Sequence, residues 1–228
     1  MTHTIRRTTT GLLGLTTAAV AAVALAGAPS QAASSRPLDG TFRLAAGKFS
    51  GAKASGTYFR MITGKSGGKT QYLANPDSRA SDKTYTLGRP GTDGGLATGR
   101  FQPHPSPVFD AKGNARATKI IKPEPYTAIR FGVATLKQDP QSKKTSAVTS
   151  ATVDGRRLTV RLPGFTAEWN GEYFNQGAPK PDGSGAAATG AYNAKTKRFV
   201  LSWTSKIRGG PFNGFSGFWH LEGTFSPR

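Results

Sequence analysis

Arg198-Phe199-Val200-Leu201-Ser202-Trp203-Thr204-Ser205-Lys206-Ile207 is the stretch whose reading decides the fold. Phe199, Leu201, Trp203 and Ile207 fall on one side of an extended chain, while Arg198, Ser202, Thr204 and Lys206 fall on the other. A period of two is the mark of a half-buried strand. The segment after it repeats the pattern: Phe215, Gly217, Trp219, Leu221, Gly223 and Phe225 alternate with Ser216, Phe218, His220, Glu222 and Thr224. Working outward, Ile129, Phe131 and Val133 alternate with Arg130 and Gly132, and Leu158, Val160 and Leu162 with Thr159 and Arg161. Asp154-Gly155 joins two such runs and suits the positive φ angles of a two-residue hairpin turn. Asn193 to Thr196 reads as a second, slightly longer hairpin connection.

No stretch reads as a helix. The 29 Gly and 15 Pro interrupt the chain before a helical repeat establishes itself, since each costs roughly 1 to 3 kcal/mol in a helix interior. Leu38-Asp39-Gly40-Thr41-Phe42 is echoed by Leu221-Glu222-Gly223-Thr224-Phe225. Glycine precedes an aromatic by two positions at Gly56 and Tyr58, Gly99 and Phe101, Gly171 and Tyr173, Gly190 and Tyr192, and Gly217 and Trp219. Glycines under neighbouring aromatics let sheets bend at barrel corners. The expected fold is therefore all-β: a single antiparallel β-barrel, of lipocalin or avidin architecture with no kinship implied, its first and last strands paired to remove the edges. A two-layer β-sandwich gives much the same sequence and stands as the alternative.

Domain organisation follows from the beginning of the sequence. Arg6 and Arg7 precede an uncharged run from Gly11 to Ala28, the pattern of a secretory signal. Ser30 and Ala32 supply the small residues before a cleavage point after Ala32. Residues 1–32 are read as a signal peptide, 33–37 as a short flexible lead and 38–228 as one all-β domain of a secreted protein. The paired arginines permit twin-arginine export, but Thr8, Thr9 and Thr10 follow where that signal wants a large apolar residue, so the general secretory route is favoured. The absence of cysteine rules out disulfides and a lipid-anchored cysteine. Beyond residue 32 there are 29 Lys and Arg against 12 Asp and Glu, a charge of +17. Anionic partners are expected, envelope glycans or other anionic polymers above all. Nucleic-acid binding wants basic residues gathered beside stacking aromatics. Linear order shows no such gathering, so nucleic acid is not the expected partner.

Few residues offer chemistry. With His104 and His220 the only histidines of the mature chain and no cysteine, no metal site and no cofactor are expected. His220 and Glu222 share the non-core face of a strand beside Phe218; Cβ atoms two residues apart lie about 7 Å from each other, room for a water or a ligand between their side chains, or else a simple polar surface. Reading Phe165 to Phe174 as one strand places Glu168, Asn170 and Glu172 on one face and Phe165, Trp169 and Tyr173 on the other. Glu168 and Glu172 would then stand roughly 13 Å apart, beyond the approximately 5 to 9.5 Å of either glycoside-hydrolysing geometry. The candidate catalytic set is thus Glu168, Glu172, His220 and Glu222, and the candidate ligand-binding set Trp169, Asn170, Tyr173, Phe218 and His220. They form one site only if their strands face a common cavity. No Gly-x-Ser-x-Gly elbow occurs, and the loops Gly209 to Gly214, Asp110 to Asn114 and Asp182 to Gly185 read as turns. The residues favour a non-catalytic binding protein over its alternatives, a glycan hydrolase using the Glu/His cluster and a barrel carrying a small hydrophobic ligand.

Overall fold

The computed structural model describes residues 35–228; the expected signal peptide and its cleavage point lie outside them. In chain order the strands are β1 (Arg36–Pro37), β2 (Gly40–Leu44), β3 (Lys48–Ser50), β4 (Lys53–Ser55), β5 (Tyr58–Ser66), β6 (Lys69–Leu73), β7 (Thr86–Leu87), β8 (Gly95–Ala97), β9 (Glu124–Tyr126), β10 (Ile129–Thr135), β11 (Ser150–Asp154), β12 (Arg157–Arg161), β13 (Phe165–Trp169), β14 (Glu172–Asn175), β15 (Ala188–Tyr192), β16 (Arg198–Lys206) and β17 (Ser216–Pro227). There is no helix among the described residues. The fold is all-β.

Eleven strands form one antiparallel sheet in the order β1-β11-β12-β15-β16-β17-β2-β8, with β5 branching from β17 and carrying β6 and β7. It curls into a half-barrel. A closed barrel is not what the structure shows. The four-stranded sheet β14-β13-β10-β9 lies instead against the concave side: the Phe165 ring meets Trp203 at 5.3 Å and Trp219 at 5.1 Å, and Phe131 meets Phe59 at 5.9 Å. β17 is the spine. β16 runs along one of its edges, while β5 (through Ser216–His220) and β2 (through Gly223–Pro227) share the other.

The alternation of β16 holds in detail. Phe199, Leu201 and Trp203 are buried, and Arg198, Val200, Thr204 and Lys206 are exposed. The two residues of the turn between β11 and β12 are Gly155 (φ 56°) and Arg156, one position on from the expected Asp154-Gly155, because Asp154 pairs with Arg157 inside the ladder, and Asn193 Oδ1 accepts the Lys195 and Thr196 amides in the turn before β16. The echoed segments meet at their ends: Phe42 lies opposite Phe225, their rings 4.9 Å apart. Of the five glycine–aromatic pairs, Gly56, Gly99 and Gly171 sit in turns with positive φ. Only Gly217 has its own aromatic against it, since a Cβ added there would fall 3.0 Å from Trp219 Nε1.

Phe165 to Phe174 is not one strand. Asn170 (φ 51°) and Gly171 (φ 76°) form a two-residue turn, and β14 doubles back on β13 with Trp169 opposite Glu172 and Glu168 opposite Tyr173. Asn-Gly is the sequence best suited to such a turn. The fold-back puts Tyr173 on the face of Glu168 and moves Glu172 to the opposite one, so the single-strand spacing does not apply.

Candidate functional site

Packing Trp219 and Leu221 inward turns Phe218, His220 and Glu222 outward. His220 pairs with Ser202 on one side and Tyr58 on the other. Glu222 Oε1 accepts the His220 Nε2–H at 2.7 Å, because an ionised carboxylate only accepts. Nδ1 then accepts the Ser202 hydroxyl proton at 2.8 Å. Glu222 Oε2 accepts the Gly56 amide at 3.0 Å. The gap expected between His220 and Glu222 is closed by their own hydrogen bond, leaving no room for a ligand between them. What the relay does is fix the imidazole flat against the Tyr58 ring, 4.6 Å away and 16° from parallel.

Around that stack stands a patch of half-exposed aromatics outside the core. Tyr58 touches Tyr85 at 5.1 Å and Phe218 at 6.3 Å, and Tyr85 touches Phe49 at 5.3 Å. The Arg60 guanidinium lies 3.2 Å from the Tyr72 ring centre and 4.1 Å from that of Tyr85, close enough for cation–π attraction. From the patch a lane of hydroxyls crosses the sheet: Ser202, Thr189, Thr159 and Thr152 follow His220 in register, strand by strand. With strands about 4.8 Å apart the lane from Tyr58 to Thr152 is roughly 24 Å long. Arg157 and Arg161 flank it, and Arg198 pairs with Thr224, itself opposite Arg43, one row further on. Asp154 and Glu222 are the acids of these rows. Val200, 40% exposed, adds an apolar spot.

The other chemically distinct group lies on the far side of the four-stranded sheet. β13 turns Ala167 and Trp169 toward the core and Glu168 away from it, under the loop that carries His104. Glu168 has no exposed surface, its Oε1 meets His104 Nδ1, and its Oε2 has no partner among the described residues. Burial pushes the Glu168 carboxyl above its ordinary value, and the hydrogen bond and charge of His104 pull it only part of the way back. Burial, followed by the Glu168 charge, raises the Tyr173 phenol as well. Because the folded carboxyl keeps a proton that the unfolded chain has released, the contribution of Glu168 to stability is greatest below the unfolded value of 4.5 and falls as pH rises through the folded one. Glu168→Gln is therefore expected to melt higher than the parent at pH 8 and to lose that advantage at pH 4. Thermal scans at both pH values check it; a constant offset would count against the burial of a charge.

The candidate residues thus do not converge. Glu168 and Tyr173 face away from the core on one sheet, and His220, Glu222 and Phe218 face away from it on the other. Glu172 is exposed on the face opposite Glu168. Asn170 is a turn residue whose amide binds Gly113 O at 3.0 Å. Trp169 packs on Phe212 at 5.2 Å and donates its indole N–H to Tyr126 O at 2.8 Å, a core role. Among the described residues no three His, Cys, Asp or Glu side chains gather as metal ligands. Sequence reasoning pairs Glu168 with the wrong residues. Its partner, His104, is 64 positions away, and only the flanking Pro103 and Pro105, which stiffen that histidine's backbone, mark it out.

Between the two sheets an apolar cavity of about 40 Å³ is lined by Phe59, Tyr126, Phe131, Trp169, Phe212 and Trp219, among others. No family model, no curated protein and no solved structure matches this chain.

Proposed function

We propose that this is an exported binding protein that docks an anionic envelope glycan along the outer face of its large sheet. The observation that carries the reading is the lane itself: an aromatic stack at Tyr58 and His220 continued by Ser202, Thr189, Thr159 and Thr152, with arginines on the neighbouring rows. Aromatic faces pack against the apolar faces of sugar rings. Hydroxyls exchange hydrogen bonds with sugar hydroxyls, and arginine forks pair with carboxylate or phosphate. The interior cavity of about 40 Å³ gives less support to an apolar carrier, whose pockets run to about 300 to 1,000 Å³.

Calorimetric titration with a teichoic-type polyanion, a neutral cell-wall glycan and single-stranded DNA, each at low and high salt, tests the reading. The polyanion should bind more tightly than either competitor and weaken with salt. Tyr58→Ala should reduce affinity roughly 3- to 10-fold, the loss of one stacking contact. Equal binding of DNA, or an unchanged affinity in Tyr58→Ala, would replace the glycan reading.

A further inference from the structure

Glu168 is buried at the expense of stability, and nothing in the packing of its sheet requires a carboxylate there. A neutral side chain of the same size would fill the place without desolvating a charge. Its Oε1 meets His104 Nδ1, and its Oε2 meets no partner among the described residues. What Glu168 does is hold one imidazole. Pro103 and Pro105 restrain the same residue from the backbone side. With Nδ1 engaged, Nε2 is the free nitrogen, and it has no hydrogen-bond partner among the described residues. The ring, about a quarter exposed, forms one wall of an open depression of about 410 Å³ together with Leu136, Lys137, Lys143 and Tyr173. Neither lysine is in an ion pair among the described residues.

A carboxylate that orients an imidazole whose second nitrogen is open is the arrangement by which proteins take a proton from a bound water. Cations beside it meet negative charge that develops during reaction. We propose that this depression hydrolyses carboxylic esters, with His104 as general base, Glu168 as its positioning residue, and Lys137 and Lys143 facing the carbonyl oxygen of the substrate. Water forms the new C–O bond to the carbonyl carbon while its proton passes to His104 Nε2. The tetrahedral intermediate then breaks the C–O bond to the leaving alcohol, which departs with the proton from Nε2–H. Acid and alcohol are the products, and nothing is oxidised or reduced. Tyr173, 6.1 Å from the imidazole, closes one side of the cleft. The site lies on a different sheet from the glycan-binding lane and stands independently of that reading.

The test uses the whole protein and a weakly activated fluorogenic ester, methylumbelliferyl butyrate, followed from pH 5 to 9. Turnover should exceed that of equimolar imidazole. His104→Asn should abolish the excess. Glu168→Gln should lower it about 100-fold or more, the scale seen when an orienting carboxylate is neutralised, while remaining folded by circular dichroism. Nitrogen-15 NMR should show the Nδ1–H tautomer of His104 in the parent and its loss in Glu168→Gln, a readout that a purely structural role would not move. Gly64→Ala, which lies in neither site and whose added Cβ meets nothing within 4 Å, should leave turnover unchanged. Parent turnover no faster than imidazole, or a His104→Asn variant as fast as the parent, overturns the proposal.

Discussion

Replacing Trp219 by alanine is expected to lower the thermal unfolding midpoint by roughly 10 to 20 °C, the largest single effect of any side-chain truncation in this protein. Truncating a buried tryptophan costs about 3 to 5 kcal/mol, through lost burial and the cavity left behind, and each kcal/mol moves the midpoint by about 2 to 4 °C in a domain of this size. Trp219 belongs at the top of that range. It is 2% exposed, its ring lies 4.6 Å from Phe59, 5.1 Å from Phe165 and 6.0 Å from Trp203, and it touches both sheets. Its indole N–H also binds Gln176 Oε1 at 3.3 Å, so truncation leaves a buried acceptor with one bond fewer. Differential scanning calorimetry decides the matter. A fall of under 4 °C would mean that the seam between the sheets collapses around the gap.

The second large effect comes from adding a single methyl group. Gly223→Ala should destabilise by about 3 kcal/mol, the upper end of what overpacking costs, with a midpoint lowered by roughly 6 to 12 °C. A Cβ on Gly223 would sit 1.8 Å from Arg43 O and 2.9 Å from Arg43 C, both backbone atoms of β2. Backbone cannot swing aside as a side chain does, so β17 and β2 would have to separate where they pair. Gly64→Ala is the matched control. Nothing lies within 4 Å of a Cβ at that position, and the change should stay within about 0.5 kcal/mol. Equal losses in the two variants would count against the clash with β2, since the narrower unfolded ensemble of an alanine variant acts in the stabilising direction.

What can be read from the sequence is whatever neighbouring residues decide among themselves. Phe199, Leu201 and Trp203 announce a buried face because the period of two is local, and Gly155 announces a turn because its one φ angle is, although Asp154 stays in the ladder and Arg156 completes the turn. Asn170-Gly171 carries the same signal, but apolar residues continue at matching spacing on both sides of it, and a straight strand absorbs the turn. The curl of the large sheet is foreshadowed by glycines beside aromatics, yet three of those glycines serve turns, and the concave side is filled by a second sheet in place of its own closure. The candidate sites are harder still. Ser202 and His220 meet because β16 and β17 pair, and His104 meets Glu168 across 64 residues. No periodicity encodes a contact of that kind; it follows from how the sheets stack.

β17 joins β16, β5 and β2 at once, with Phe225 opposite Phe42. A ribosome delivers β17 after all three of the strands it unites, so for most of its synthesis the chain carries edges that have nothing to bond to. Partners separated by more than a hundred residues also make assembly slow, since long loops must close before their contacts are won. The polypeptide therefore stays pliable while it is being made and gains its shape late, all at once, when the shared strand arrives.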